Sequence, residues 1–190
     1  SVSYLSFDLY QKVFPLNKQT SEVIIIDIDE KSLGKFGQFP WNRSIFAKIL
    51  ENVSAAEPKA VGFDIFFTEK DKQSPEEIIS AYNLIPNDVA ELQNIKGPDE
   101  IFREQLEKSK SVIAVLGSNV SSHGTYDRSA KAKFLSKGGD PKKFTYSYPY
   151  SIGSLESLEE NVKGLGSISF LDQSDGIIRS LPLLVRFNEK

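Results

Sequence analysis

The chain contains no cysteine, no methionine and only one histidine, and these absences narrow its chemistry. Without cysteine there is no thiol nucleophile, no zinc-thiolate site and no disulfide framework. His123 stands alone in a polar stretch, so neither a catalytic triad nor a histidine metal site can be assembled from it. The missing methionine includes the initiator, and we therefore expect the 190 residues to be a piece excised from a longer protein.

Long apolar runs and an excess of basic residues are also absent. No run approaches the roughly 18 to 20 apolar residues of a membrane helix, and no signal-peptide pattern is present. The 23 Lys and Arg residues face 26 Asp and Glu residues, for a net charge of −3, which argues against a nucleic-acid partner because such surfaces are strongly basic. A chain of this length can bury a sizeable core, and we expect one domain over residues 1–190.

The most informative stretch is residues 23–29. Four consecutive β-branched residues lead into Asp27 and Asp29, which predicts a buried strand whose carboxyl end presents acidic side chains. Pro40-Trp41-Asn42-Arg43 then opens an amphipathic helix, and residues 59–67 predict a second buried strand that contains Asp64. Strand, helix and strand form a right-handed parallel unit, so the two strand ends should open on the same edge of the sheet.

The rest of the chain predicts further parts of an α/β fold. Residues 99–109 predict a crossover helix and residues 112–117 a third parallel strand. Residues 166–171 and 177–185, joined by a turn at Asp175-Gly176, predict a β-hairpin. Between Arg128 and Lys143 the chain is basic, which indicates a solvated loop. The predicted fold is an α/β three-layer sandwich with a mainly parallel central sheet and an antiparallel C-terminal hairpin.

Charged and aromatic residues at the predicted strand ends form the candidate site. A guanidinium group binds a carboxylate with two parallel hydrogen bonds, so the acidic residues are expected to pair with arginine. The pairs could be purely structural, or they could surround a crevice for a small ligand. The candidates for ligand binding or structural ion pairs are Asp27, Asp29, Trp41, Arg43, Asp64 and Arg179.

An alternative interpretation of the two aspartates is catalytic. The Asp27-Ile28-Asp29 spacing is similar to the way haloacid-dehalogenase-like phosphatases present a nucleophile and an acid/base to magnesium and phosphate. However, Lys31 occupies the position where those enzymes have a threonine or valine, and no suitable later pair of aspartates follows. We therefore predict no catalytic residue, metal or cofactor. A ligand-free dimerisation module is a further alternative.

Several segments together resemble a known family, the CHASE domain of the second type, a cyclase- and histidine-kinase-associated extracellular sensory domain. The similarity begins at residues 7–10 and includes residues 23–30, Pro40-Trp41, Arg43 and the strand at residues 60–67. It continues through Pro98-Asp99, residues 112–116 and 166–170, and the closing pattern of Asp172, Asp175-Gly176, Arg179 and residues 182–184.

This resemblance implies a sensory role outside the cytoplasmic membrane of a bacterium. Such domains follow an N-terminal membrane helix and sense without catalysing. Their cytoplasmic outputs are most often class III adenylate or guanylate cyclases, and otherwise histidine kinases, serine/threonine kinases or diguanylate cyclases. The implied partners are an unknown small-molecule or protein signal, the flanking transmembrane helices of the parent protein, and a second copy in a homodimer. Family members usually continue past the hairpin, so the domain is expected to lack its C-terminal part.

Overall fold

The computed structural model describes residues 2–15, 22–121, 128, 131, 135, 137–169 and 176–187. The chain divides into two compact units, Ser1–Phe39 and Pro40–Lys190. Within the described ranges, no helix combines the length and apolar character required to cross a bilayer.

The described residues of the first unit include the helices α1 (Val2–Val13) and α2 (Glu30–Phe36). The prediction of a buried strand at residues 23–29 is wrong, because these residues form no strand and Ile24 and Ile25 are 88% and 86% exposed. A β-branched run favours an extended backbone, but a strand forms only where another strand supplies hydrogen bonds and the side chains gain burial.

The helices of the second unit begin where the sequence provides start signals. Asn42 accepts a hydrogen bond from the backbone N–H of Ser44 at the start of the first of these helices. Proline occupies the first turn of the next three, where its missing N–H costs no helical hydrogen bond. The helices are α3 (Arg43–Ser54), α4 (Pro75–Ala81), α5 (Pro86–Gln93), α6 (Pro98–Lys108) and α7 (Glu156–Glu159), with a short 3₁₀-helix at Pro141–Phe144.

A mixed sheet is built on β2 (Ser111–Ser118), whose apolar run is buried at Ile113, Ala114 and Val115. Strands β1 (Val61–Phe63) and β5 (Gly164–Ser167) both pair with β2 in parallel, and β4 (Tyr150–Ile152) pairs with its second half in antiparallel. A separate parallel pair joins β3 (Tyr146–Tyr148) to β6 (Val185–Phe187). Helices and a mixed sheet confirm the α/β class.

The core lies where α3 and α6 pack together beside this sheet. Phe46 of α3, Phe102 of α6 and Phe67, which follows β1, contact one another with ring centroids 5.1 to 6.1 Å apart. All three are at most 2% exposed. Aromatic pairs in such tilted and edge-to-face geometries add to the free energy gained from burial.

The C-terminal residues pair differently from the predicted hairpin. Its first arm overlaps β5, which pairs with β2, and its second arm reaches only Val185, the first residue of β6, which pairs with β3. Among the described residues, β5 and β6 do not pair with each other. The predicted turn residues Asp172 and Asp175 lie outside the described residues. Hydrophobic pattern indicates that a segment is extended, but the tertiary fold decides which strand it joins.

Candidate functional site

The start of α3 is held by two side chains from outside the helix. Asp71 accepts a hydrogen bond from the backbone N–H of Arg43 at 2.6 Å, and its second oxygen accepts from the backbone N–H of Gln73. Asn42, which caps the helix, also donates to the side chain of Gln73. Asp71 is 6% exposed, so these bonds are the compensation for burying its carboxylate. A negative charge here also interacts favourably with the helix dipole.

The side chain of Arg43 lies between an aromatic ring and a second carboxylate. Its guanidinium carbon is 4.6 Å from the centre of the Phe67 ring, and Nη2 donates to the carbonyl of Glu69 at 3.2 Å. Its Nε lies 3.6 Å from Oδ1 of Asp99, and the two side chains are 11% and 19% exposed. Burial lowers the pKa of Arg43, and the nearby Asp99 and Asp71 partly offset that effect.

Asp99 connects the start of α6 to this arginine. Its Oδ2 accepts hydrogen bonds from the backbone N–H of Asp71 at 2.8 Å and from the hydroxyl of Ser74 at 3.3 Å. Its Oδ1 and the Nε of Arg43 are both buried without a hydrogen-bond partner. At 3.6 Å the two atoms attract each other as charges but are too far apart for a good hydrogen bond. We call Arg43, Asp71 and Asp99 the Arg43 junction.

A cavity of about 270 Å³ lies against this junction and is lined by Asp99 and by Ser74, whose hydroxyl donates to Asp99. Three carboxylates and one lysine contribute to its wall, so its charge favours a ligand with hydrogen-bond donors or a positive charge. The described residues contain no group of three or more His, Cys, Asp or Glu side chains that could hold a metal ion. The cavity is lined by Lys70, Ser74, Pro75, Glu76, Gln93, Ile95, Gly97, Asp99, Glu100, Leu155 and Ser157.

The predicted site residues occupy several different places. Trp41 is 5% exposed and packs against Phe46, immediately before the Arg43 junction. Asp64 is exposed just after β1. Arg179 is half-buried, and its Nη1 donates to the carbonyl of Ile177. The carboxylates beside Arg43 are those of Asp71 and Asp99, which are not among the six predicted residues.

Asp27 and Asp29 belong to the first unit, and both are exposed. Asp29 is the N-cap of α2, where its Oδ1 accepts from the backbone N–H and the hydroxyl of Ser32 at 2.8 and 2.6 Å. These hydrogen bonds lower the pKa of Asp29 because they favour the charged carboxylate. The grouping of the six candidate residues into a single site therefore remains a prediction.

Sequence reasoning missed Asp71 and Asp99 as partners of Arg43. Asp71 lies 28 residues from each of the other two, so no local spacing connects them. The available signal was indirect. Asp99 follows Gly97-Pro98 in the first turn of a helix, where an acidic residue is favoured and its position is well defined.

Comparison with known proteins defines the class of this α/β fold. The family model described as CHASE2 domain matches residues 2–189, essentially the whole chain. The class is therefore that of the extracellular sensory domains of signal-transduction proteins, which sense and do not catalyse. The chain belongs to the CHASE2 domain family, which confirms the resemblance noted in its sequence. No curated protein and no solved structure matches the chain significantly.

Proposed function

We propose that the chain is the extracytoplasmic input domain of a bacterial transmembrane signalling protein. Membership of a family of extracellular sensory domains is the observation that carries this proposal. Residues 1–190 then act as a single sensor domain on the periplasmic face of the inner membrane, with a three-layer arrangement around a mainly parallel sheet. Its direct partners are the flanking membrane helices of the parent protein and a small-molecule or protein signal.

The family resemblance supplies the candidates for the cytoplasmic output domain. A class III adenylate or guanylate cyclase is the first candidate, and a histidine kinase, a serine/threonine kinase or a diguanylate cyclase comes next. In each case the input domain must have two conformations that the signal binds with different affinity, because only a difference in binding free energy shifts the equilibrium between them.

The Arg43 junction is our candidate for the element that changes between the two conformations. It connects the first turns of α3 and α6, and its ion pair contains two buried atoms without hydrogen bonds. A ligand in the adjoining cavity that donates a hydrogen bond to Oδ1 of Asp99 would favour an arrangement different from the ligand-free one. Such a ligand needs a polar donor or a cationic group, given the carboxylates of Glu76, Asp99 and Glu100 in the wall.

The test uses the full-length parent protein in bacterial membranes. Arg43→Ala should change the basal cyclase or kinase output several-fold, because the variant removes the charge that positions Asp99. Lys48→Ala is the matched control, since Lys48 lies on the same helix in an exposed ion pair with Glu51. Equal output from both variants, at equal protein levels, would argue against a role of the junction in signalling.

Three further measurements test the class itself. A reporter enzyme that functions only in the periplasm, inserted at the exposed residue Leu135, should be active; inactivity would contradict the proposed location.

Magnesium-dependent phosphatase turnover that disappears in Asp27→Asn would favour the catalytic alternative instead. Self-association in sedimentation experiments, with no response to any signal, would favour the dimerisation module.

A further inference from the structure

Arg128 lies in the basic segment that the sequence indicates to be solvated, yet its side chain is buried. The Arg128 and Glu159 side chains are 2% and 4% exposed. The solvated-loop prediction is therefore wrong for this residue. A buried guanidinium requires several acceptors around it, because desolvating a charge is otherwise very unfavourable.

The acceptors surround the guanidinium on more than one side. Nε donates to both oxygens of Glu159, at 3.0 and 2.9 Å. Nη1 donates to the carbonyl and the hydroxyl of Ser151, at 2.6 and 3.0 Å, and Nη2 to the carbonyl of Ser154 at 3.5 Å. A guanidinium is planar and has five N–H donors, so it can bond to a carboxylate, carbonyls and a hydroxyl in several directions at once. This set of acceptors therefore suits a guanidinium better than an ammonium group.

These acceptors are positioned by the rest of the second unit and not by Arg128. Ser151 lies in β4, which pairs with the central strand β2. Ser154 is fully buried, and its hydroxyl accepts from the backbone N–H of Phe67 at 3.1 Å. The next residue, Leu155, donates its N–H to the carbonyl of Phe67 and begins α7, which carries Glu159. The pocket is thus attached to the aromatic core at Phe67.

Because Gly153 has no Cβ atom, the guanidinium of Arg128 can occupy the space beside its backbone. A Cβ atom at this position would lie 2.9 Å from Nη2 and 3.0 Å from Nε of Arg128, and in contact with Oε1 of Glu159. Real Cβ atoms rarely approach other atoms so closely, so a side chain at this position would displace the guanidinium of Arg128 or the carboxylate of Glu159.

We propose that Glu159, Ser151, Gly153 and Ser154 form a guanidinium-recognition pocket, which the chain's own Arg128 occupies as an internal ligand. A small guanidinium compound then takes the same place when Arg128 is removed. The pocket is separate from the Arg43 junction, and the proposal does not depend on the proposed sensory function.

The test is chemical rescue of Arg128→Ala, with methylguanidinium as the probe. The variant should melt below the wild type, and about 10 mM methylguanidinium should raise its Tm saturably by about 2 to 4 °C. Methylammonium at the same concentration should have no such effect. The wild type and Arg103→Ala, which lacks an arginine from an exposed pair with Glu107, control for general effects of the probe.

Several outcomes would overturn the proposal. These are an Arg128→Ala variant as stable as the wild type, equal rescue by both cations, no rescue, or rescue that persists in the Arg128→Ala/Glu159→Gln double variant. If Arg128→Ala does not fold, Arg128→Lys decides the question. This variant keeps the charge without the planar fork, so it should melt clearly below the wild type, and wild-type stability would contradict guanidinium recognition.

Discussion

Two mostly buried arginines in the second unit each face a carboxylate, but their surroundings differ. Nε of Arg43 is 3.6 Å from Asp99, and neither atom has a hydrogen-bond partner. Nε of Arg128 is 2.9 Å from Glu159 and contacts both carboxylate oxygens. The exposed fractions are 11% and 19% in the first pair, and 2% and 4% in the second.

The first pair is held by Coulombic attraction without a hydrogen bond, and the second by hydrogen bonds, so we expect the first to be adjustable and the second to be fixed. Coulombic attraction falls slowly with distance, so the Arg43 pair tolerates small displacements with little loss. Hydrogen bonds are short and directional, so the Arg128 pair loses much of its stabilisation when either group moves. The first pair is therefore the better candidate for an element that responds to a signal, and the second is the better candidate for a rigid anchor.

The largest expected effect comes from neutralising each carboxylate in turn. Glu159→Gln should reduce the free energy of unfolding by about 3 to 5 kcal/mol, because it leaves a deeply buried guanidinium without its counter-charge. Asp99→Asn should cost only about 1 to 2 kcal/mol, since the amide oxygen can still accept from the backbone of Asp71. Urea denaturation of both variants measures the difference, and equal losses would remove the distinction between the two pairs.

A smaller loss of stability is expected from adding one methyl group beside the Arg128–Glu159 pair. Gly153→Ala should cost about 1 to 3 kcal/mol, because its Cβ would displace the guanidinium of Arg128 or the carboxylate of Glu159. Gly62→Ala is the matched control, since a Cβ at this strand position meets no atom within 4 Å. If the two variants have the same Tm, the pocket around Arg128 is looser than its geometry indicates.

The smallest effect is expected at a third arginine, which calibrates the comparison. Arg103 lies 3.9 Å from Glu107, one turn away on α6, and the side chains are 34% and 63% exposed. Arg103→Ala should change the free energy of unfolding by no more than about 0.5 kcal/mol, because water screens exposed pairs. A loss as large as that of Glu159→Gln would mean that burial is not what separates these ion pairs.

The elements that were predictable from sequence are those with strong local signals. The helix from Arg43 follows a capping asparagine, α6 starts at Gly97-Pro98, and β2 is a continuous apolar run. The segment at residues 23–26 had an equally strong β-branched signal but forms no strand. The physical difference is that a helix satisfies its own backbone hydrogen bonds, whereas a strand depends on a neighbour that local sequence does not specify.

The candidate site was predictable only in part for the same reason. Trp41 and Arg43 could be selected because they open a well-marked helix. The identities of the carboxylates around Arg43, and the burial of Arg128 within a basic stretch, depend on residues that are far apart in the chain. Charge patterns describe what a segment can pair with, but they contain no information about which partner the fold brings within reach.

By itself, the sequence determined the α/β class, the starts of α3 and α6, the central strand and the membership of the CHASE2 family. These follow from local hydrogen bonding, apolar periodicity and a distributed set of motifs. The tertiary structure alone decided that Asp71 and Asp99 surround Arg43, that β5 lies beside β2, and that Glu159 encloses Arg128. Each of these outcomes depends on contacts between segments that are distant in the chain, and local hydrogen bonding and periodicity do not specify such contacts.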